Sequence, residues 1–295
     1  MVSSKTKEFM DHLKKVYVPI ADFHHLNVDM MRQNFEKGIV LEPLPEDTSH
    51  KELKINGIQV EKITVENHSE KIILHIHGGG MVMGHHYSGR FMLANLASLT
   101  KRNTYSVNYR LSPEFSQPAA IEDCVNVYKG LLDRGYEAQN IALIGESAGG
   151  ALVMSLCAYL KQEGISMPGA VCAISGSVDA LYQSDSMTSN ASTEIVVNLN
   201  LPEMMSEIYY KDGDPNNPVL SPIKSDLRGW PPVLLHACKE EILLDESTRM
   251  YAQLKAAGVD VKLIVKEGLF HTYMMYDLPE SYEAYKEIAD FFNRY

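Results

Sequence analysis

The chain has 295 residues, of which 45% are hydrophobic and 22% charged, and its formal net charge is −11. This length can bury one large core, and the composition is ordinary for a globular protein. The negative charge repels phosphates, which excludes nucleic acid and anionic membrane surfaces as expected partners.

The N-terminal segment is polar and lacks the apolar stretch of a secretory signal. Two amphipathic helices are predicted before residue 50. The first carries Phe9, Leu13 and Val16, the second carries Phe23, Leu26 and Met30, and Pro19 separates them. No apolar run has the length that a membrane span requires, so we expect a cytoplasmic protein without a membrane span.

The alternating stretch from residue 55 to 65 is typical of an antiparallel strand or hairpin. From residue 71, apolar strands alternate with helices. The strand segments are KIILHIH, NTYSVNY, IALIG, GAVCAIS, VLLHAC and VKLIV. The helices are expected near residues 89–101, 118–134, 148–163, 246–257 and 279–294. This alternation predicts an α/β fold with a parallel sheet that helices cover on both faces.

A nucleophile elbow is predicted at Gly145-Glu146-Ser147-Ala148-Gly149, between the strand segment IALI and the helical segment ALVMSLCAYL. In this motif the serine sits on a sharp turn from strand to helix, so the residues two positions away on either side must be small. The N–H groups and dipole of the following helix favour a developing oxyanion. Ser147 is therefore the candidate nucleophile, although a glycine-rich turn with a helix-capping serine would share this pattern.

A glycine loop, His77-Gly78-Gly79-Gly80, follows the strand segment KIILHI. Glycines let backbone N–H groups approach a substrate oxygen closely. Such loops also cradle phosphates, but the spacing GxGxxG and the ending GK[ST] of nucleotide-binding loops are absent. A glycine loop of this kind and a GxSxG elbow form one oxyanion hole, so their joint occurrence indicates a serine hydrolase.

His271 is the candidate general base, because it follows the last predicted strand and the expected chain order is Ser, acid, His. The acid should hold the imidazole tautomer and stabilise the imidazolium. It is expected in the loop after VLLHAC, where Glu240, Glu241 and Asp245 are available. Asp245 precedes a predicted helix and also suits its N-cap. Glu241 lies just past the end of the strand and is the predicted acid.

Apolar residues near these motifs are candidate substrate contacts. Met81, Met204 and Met205 could line an acyl pocket, and Phe270 stands beside the candidate base. Methionine also serves as plain core filler.

Histidine doublets occur, but metal-binding motifs such as HExxH or a Cys/His cluster are absent, so no metal and no other cofactor is expected. The cysteines lie in apolar stretches without paired spacing, which favours buried free thiols. They are Cys124, Cys157, Cys172 and Cys238.

The motifs and their order resemble the hormone-sensitive-lipase group of α/β-hydrolases, the family IV bacterial esterases. The matching segments are HIHGGGMVMG, YRLSPEFSQPAAIEDC, GESAGG, PVLSPIKSDLRGWPPVLLHA, EILLDE and GLFH. The resemblance implies the α/β-hydrolase fold, with a mostly parallel central sheet flanked by helices and a helical cap. It assigns residues 1–50 and 180–218 to the cap, and residues 51–179 and 219–295 to the core.

The resemblance further implies a carboxylesterase that hydrolyses small to medium acyl esters through an acyl-enzyme. Gly79, Gly80 and Ala148 would supply the oxyanion N–H groups, and the expected partner is a small ester. Related enzymes often dimerise through the edge of the sheet, which leaves a monomer and a homodimer both open. The main departure is the acid: the family usually has Asp-Pro-Leu-x-Asp with the first Asp catalytic, whereas this chain has Glu241-Ile-Leu-Leu-Asp245.

Two other functions stay open. An amidase of the arylformamidase type would use the same residues, and nothing in the sequence excludes a small amide substrate. A non-catalytic binding protein can keep the fold, as hydrolase-like plant hormone receptors do, but such a protein typically lacks the triad histidine, and His271 is present.

Overall fold

The computed structural model describes residues 2–16, 27–211 and 213–295. Within these residues the strands are β1 (Thr48–Ile55), β2 (Ile58–Val65), β3 (Ile72–Ile76), β4 (Asn103–Val107), β5 (Ile141–Glu146), β6 (Ala170–Ile174), β7 (Val233–Cys238) and β8 (Val261–Lys266). The helices are α1 (Ser4–Val16), α2 (Val28–Lys37), α3 (Arg90–Thr100), α4 (Ala119–Asp133), α5 (Ala148–Gln162), α6 (Ser186–Ser189), α7 (Leu201–Ile208), α8 (Leu244–Ala256) and α9 (Pro279–Phe292).

The strands form one sheet in the order β1-β2-β4-β3-β5-β6-β7-β8. β1 and β2 pair antiparallel, β2 joins β4 antiparallel, and the strands from β3 to β8 pair in parallel. The predicted fold class is therefore confirmed. In the register of the sheet, Ile76 of β3 lies beside Gly145 of β5. Because parallel strands end at the same edge, the glycine loop after β3 and the serine after β5 become neighbours.

Side chains of the buried strands alternate between two hydrophobic layers. On β3, Leu74 and Ile76 belong to the layer beneath α4, α5 and α8, whereas Ile73 belongs to the layer beneath α3 and α9. Helices thus cover both faces of the sheet, which explains why its strands are near-continuous apolar runs in the sequence. The four cysteines are buried free thiols, as predicted.

The antiparallel part of the sheet begins earlier than the sequence predicts. The stretch 55–65 supplies mainly β2, and β1 starts at Thr48. Asn56 and Gly57 make the turn between the two strands, with φ angles of 47° and 85°. These positive values suit Asn-Gly in a tight hairpin, because both residues tolerate the left-handed conformation. The hairpin therefore starts inside the segment 1–50 that the sequence assigns to the cap.

The first N-terminal helix lies against the C-terminal helix. The backbone N–H of Ser3 donates to Glu280 Oε1 at 2.6 Å, and the rings of Phe9 and Tyr276 lie 4.7 Å apart. The contact between α1 and the region around α9 therefore combines apolar packing with charge-assisted hydrogen bonds.

The second predicted helix is seen only in part. Pro19, Phe23 and Leu26 lie outside the described residues, and α2 begins at Val28. Met30, predicted for an apolar face, is 54% exposed.

Residues 180–218 follow β6 and interrupt the alternation of strands and helices, as predicted. The described residues of this insertion form α6 and α7 and contain no strand. Leu201, Met204 and Met205 of α7 are buried, so this helix presents an apolar face to the rest of the molecule. No helix of the described residues is long and apolar enough to cross a membrane.

Candidate active site

Ser147 lies on a sharp turn between β5 and α5. Its φ and ψ angles are 54° and −121°, a conformation that non-glycine residues rarely adopt. A Cβ atom at Gly145 would lie 2.3 Å from the carbonyl oxygen of Gly149, and one at Gly149 would lie 1.9 Å from that of Ile76. Both positions therefore require glycine for steric reasons, as the elbow motif predicts.

The structure brings Ser147, His271 and Glu241 into one hydrogen-bonded chain. The distance from His271 Nε2 to Ser147 Oγ is 2.9 Å, and the distance from His271 Nδ1 to Glu241 Oε2 is 2.7 Å. A carboxylate only accepts, so Nδ1 carries the proton and Nε2 is free to accept the hydrogen of the serine hydroxyl. This is the tautomer that a general base for serine needs.

Glu241 is held from two further directions. Its Oε1 atom accepts hydrogen bonds from the Ser175 hydroxyl at 2.9 Å and from the Cys238 N–H at 2.8 Å. The carboxylate is 1% exposed, and three donors compensate for its loss of hydration.

Two opposing effects act on the pKa of His271. Burial lowers it, because the charged imidazolium loses hydration, whereas the hydrogen bond and negative charge of Glu241 raise it. The resulting pKa of His271 lies above its ordinary value of 6.5. The imidazole is therefore a stronger base than an isolated histidine.

The glycine loop after β3 lies against the elbow. Gly79 and Gly80 have φ angles of 111° and 63°, and a Cβ at Gly79 would lie 2.3 Å from the Met83 carbonyl oxygen. The N–H groups of Val82 and Met83 both donate to the Gly79 carbonyl, at 3.1 and 2.9 Å. Among the described residues, no acceptor takes the N–H of Gly79 or Gly80.

Glu146, the variable residue before Ser147 in the elbow, joins the two motifs. Its Oε1 atom accepts the Gly78 N–H at 2.7 Å, and its Oε2 atom accepts a hydrogen bond from His75 Nε2 at 2.8 Å. His75 in turn contacts the Ser106 hydroxyl at 2.7 Å. Sequence analysis missed this role; the signal available was a carboxylate at the buried end of an apolar strand.

His77, the first residue of the glycine loop, has a structural place. Its ring stacks on Tyr109 at 4.2 Å, and its Nδ1–H donates to the Gly78 carbonyl at 2.7 Å. Burial lowers the pKa of His77 to about 3, so the imidazole is neutral. The described residues contain no group of three or more His, Cys, Asp or Glu side chains that could hold a metal ion.

A small cavity of about 20 Å³ opens beside Ser147, which is room for one or two water molecules. Met81 and Met205, two of the predicted substrate contacts, line it. The remaining lining residues are Gly80, Ala148, Ala151, Ser177, Tyr182, Leu201 and Leu243. A larger groove of about 490 Å³ is formed by α4, the end of α5 and residues 217–220.

The other two predicted contacts, Met204 and Phe270, are not part of the cavity lining. The methyl group of Met204 faces Gly80, with its Cε atom 3.7 Å from where a Cβ would stand. Phe270 belongs to the opposite hydrophobic layer, where its ring lies 5.8 Å from those of both Phe9 and Tyr276. Phe270 therefore anchors the histidine loop on α1 rather than facing the cavity.

The two alternative acids point away from His271. Glu240 Oε1 accepts the Gly268 N–H at 2.9 Å, and Asp245 Oδ2 accepts the Ser186 N–H at 2.9 Å. The prediction of Asp245 as an N-cap is wrong, because α8 begins at Leu244 and Asp245 lies within its first turn.

Glu246, which sequence analysis did not consider, holds the segment after β6. Its Oε2 atom accepts the N–H groups of Val178 and Asp179 at 2.9 and 3.0 Å and the Ser177 hydroxyl at 3.2 Å. Burial raises the pKa of this carboxyl. Ser177 lines the cavity, so Glu246 fixes part of the cavity wall.

Comparisons with known proteins identify the family of this chain. The family model described as "alpha/beta hydrolase fold" matches residues 73–275. An esterase from the bacterial hormone-sensitive lipase family has a TM-score of 0.91 and 30% sequence identity, over 100% of this chain and 99% of that one. The chain is an α/β-hydrolase of the hormone-sensitive lipase group. This α/β-hydrolase is also similar to an esterase/lipase from an uncultured bacterium, with a TM-score of 0.92 and 29% identity over 99% and 98% of the two chains.

Relatives identified by sequence give the reaction class. An "Esterase" of Acinetobacter venetianus is 28% identical over 286 residues, which is 96% of this chain and 94% of that protein. An "Acetyl-hydrolase" of Streptomyces hygroscopicus is 31% identical over 76% of this chain and 75% of that protein. This α/β-hydrolase is a carboxylic ester hydrolase.

We predict that Gly149→Ala destabilises this α/β-hydrolase severely. The new Cβ would lie 1.9 Å from a backbone oxygen of β3, which cannot rotate away as a side chain can. Overpacking of this kind should lower the free energy of unfolding by about 3 kcal/mol or more. Thermal denaturation followed by circular dichroism measures the change.

Gly38→Ala is the matched control, because its φ is −88° and the nearest atom to a new Cβ is 3.4 Å away. It should change stability by roughly 0.5 kcal/mol or less. Equal melting temperatures for the Gly149→Ala protein and the wild type would contradict the steric account of the elbow.

Proposed function

We propose that this α/β-hydrolase cleaves esters of small to medium acyl groups with Ser147 as nucleophile, His271 as general base and Glu241 as orienting acid. The observation that carries the proposal is the continuous hydrogen-bonded path from the serine hydroxyl through the imidazole to the buried carboxylate, with distances of 2.9 and 2.7 Å. The strained backbone at Ser147 adds support, since it presents the hydroxyl at the edge of the sheet.

In the first half-reaction, Ser147 Oγ attacks the ester carbonyl carbon while His271 Nε2 takes its proton. The resulting imidazolium is stabilised by the charge of Glu241. When the tetrahedral intermediate collapses, the bond to the alcohol oxygen breaks and Nε2–H protonates the leaving alkoxide. The product is an alcohol and an acyl group on Ser147.

In the second half-reaction, a water molecule takes the place of the alcohol. His271 Nε2 accepts a proton from it as its oxygen attacks the acyl carbon, and the proton returns to Ser147 Oγ as the acid leaves. The protein supplies all the proton transfers, so the cycle requires no cofactor.

The oxyanion that forms in both halves is bound by backbone N–H groups of Gly79, Gly80 and Ala148. The free N–H groups of Gly79 and Gly80 support this assignment for the loop. Ala148 is the first residue of α5, where N–H groups and the helix dipole point at the site. Glu146 holds the loop beside the elbow through Gly78, so the two sources of N–H groups are fixed relative to each other.

The acyl group is proposed to enter the cavity beside Ser147, beneath a cap to which the insertion 180–218 and the described residues before β1 contribute. Leu201 and Met205 of α7 support this, because they bring the insertion into the cavity wall. Because this cavity has room for only one or two water molecules, it favours the shortest acyl chains of that range. The names of the relatives, esterase and acetyl-hydrolase, favour esters over amides as substrates.

Ser147→Ala is expected to lower kcat by a factor on the order of 10⁶, because the nucleophile of a triad is lost. The fold should persist, since the Ser147 hydroxyl caps no N–H group within the described part of α5. The measurement is hydrolysis of p-nitrophenyl esters, with thermal denaturation as the control. Folded Ser147→Ala protein with wild-type turnover would contradict the proposal.

Separate Glu240→Gln, Glu241→Gln and Asp245→Asn variants identify the acid. Glu241→Gln should lower kcat by a factor on the order of 10³–10⁴ with little change in KM, because the tautomer of His271 is no longer imposed. Glu240 and Asp245 contact a backbone N–H rather than His271, so the other two substitutions should leave kcat near the wild-type value. A kcat defect in Asp245→Asn, with Glu241→Gln active, would assign the acid to Asp245.

The pH profile gives an independent test of the same pair. A general base works when neutral, so kcat/KM rises as pH increases through the pKa of His271. Glu241 raises that pKa above 6.5, which places the acid limb of the wild type above pH 6.5. In Glu241→Gln the limb should move to lower pH. An unchanged limb in a variant with residual activity would show that Glu241 does not act on His271.

Met205 is expected to set the acyl-chain limit, since it lines the cavity from α7. Met205→Ala should shift the preferred p-nitrophenyl ester to longer chains, and Met205→Trp to shorter ones, by changing the free volume beside Ser147. Ile208→Ala is the control on the same helix and should leave the profile unchanged. Identical profiles for all three variants would place the acyl pocket elsewhere.

A further inference from the structure

The loop that carries Glu241, residues 239–242, is fastened by side chains of the insertion. Each of the four backbone carbonyl groups of this loop accepts a hydrogen bond from a side chain of the insertion. Asn190 Nδ2 donates to the carbonyls of Lys239 and Glu241, both at 2.9 Å. The hydroxyl of Thr193 donates to residue 240 at 2.9 Å, and that of Ser186 to residue 242 at 2.7 Å.

The backbone N–H of Ile242 also forms a hydrogen bond with a side chain of the insertion. It donates to Glu194 Oε2 at 3.1 Å. Ile242 stands where the resembling family has proline, a residue with a fixed φ and no N–H. The chain therefore has both an extra donor and an extra degree of freedom at this position. Glu194 satisfies the donor, and the bond restricts the backbone.

The carboxylate of Glu194 is itself oriented before it meets the loop. Its other oxygen, Oε1, accepts the N–H groups of residues 195, 196 and 197 at 2.9, 2.8 and 2.9 Å. Three converging N–H groups form a fixed cradle for one oxygen, which leaves the second oxygen directed at Ile242. The acid loop is thus attached to a rigid point of the insertion.

We propose that Asn190 and Glu194 are positioning residues, which hold the acid loop so that Glu241 meets His271, and that they replace the constraint of the missing proline. This inference rests on the proposed function of Glu241. A glutamate has one more rotatable bond than the usual aspartate, so its carboxylate depends more on where the backbone is placed. The insertion then serves the proton-transfer machinery as well as the acyl pocket.

Asn190→Ala is the primary test because it removes two hydrogen bonds to the acid loop and changes no charge. Misplacement of a catalytic group by about 1 Å costs up to about 100-fold in rate, so we expect kcat to fall about 10- to 100-fold with little change in KM. The acid limb of kcat/KM should also move to lower pH, as Glu241 moves away from His271. Asn198→Ala is the matched control, since its side chain accepts from the Asn200 N–H within the insertion.

The carboxylates of Glu241, Glu194 and Glu146 all raise the pKa of His271. Glu194→Gln therefore removes both a charge and an acceptor, and it should move the limb in the same direction as Asn190→Ala. Because the charge of Glu194 acts on His271 directly, this shift is expected even if the acid loop stays in place. The positioning role of Glu194 is therefore tested by kcat at a pH above the limb, which should fall about 10- to 100-fold. A merely structural role predicts a lower melting temperature with that kcat unchanged. Glu194→Gln also keeps the test open if Asn190→Ala fails to fold.

A double-mutant cycle decides whether Asn190 acts through Glu241. If it does, Asn190→Ala should cost almost nothing further in a Glu241→Gln background. Independent, multiplicative losses in kcat would overturn the inference, and so would a wild-type kcat and pH limb in Asn190→Ala. A wild-type protein without Ser147-dependent hydrolysis would instead overturn the proposed function itself, which keeps the two failures distinct.

Discussion

The buried hydrogen bond between Glu241 and His271, 2.7 Å long, is the interaction on which the site depends. An ionised carboxylate without water is costly unless donors surround it. Ser175, Cys238 and His271 supply three, from the ends of β6 and β7 and from the loop after β8. Three neighbouring strands thus converge on one side chain, and their common edge is the place where a parallel sheet gathers loops. The site is a consequence of this topology.

Close backbone packing provides the second constraint. The carbonyl of Ile76 leaves no room for a side chain at Gly149, so β3 and the first turn of α5 approach at van der Waals distance. This contact brings the glycine loop beside Ser147. Glu146 then ties the loop to the elbow through Gly78 and His75. The positions of Ser147 and of the glycine-loop N–H groups are therefore coupled through one short stretch of β5.

Local sequence patterns predicted much of the fold and of the candidate site. Apolar runs placed β7 correctly, and glycine spacing identified the turn at Ser147 because that turn tolerates only small neighbours. Contacts that join distant segments left no local signal. Phe270 is adjacent to His271 in sequence, yet its ring packs on Phe9 of α1. The same limitation hid the contacts of Glu146 and the contact of Glu194 with Ile242, because these partners are distant in the sequence.

The two segments outside the sheet reach different parts of the site. Arg32 of α2 donates to the carbonyls of Val82 and Ser112, at 2.9 and 3.0 Å, just beyond the glycine loop. The insertion contributes Met205 to the cavity and Asn190 to the acid loop. The insertion therefore contacts both the cavity beside Ser147 and the acid loop, whereas α2 contacts the chain just beyond the glycine loop.

Covalent labelling tests the central claim most directly. A phosphonate ester forms a stable adduct with a serine that a neighbouring histidine activates, and mass spectrometry of the digested protein locates it. The account predicts one adduct per chain, on the peptide that contains Ser147, and its loss in folded His271→Ala protein. Labelling of a different serine, or undiminished labelling without His271, would contradict the assignment of Ser147 and His271 as nucleophile and base.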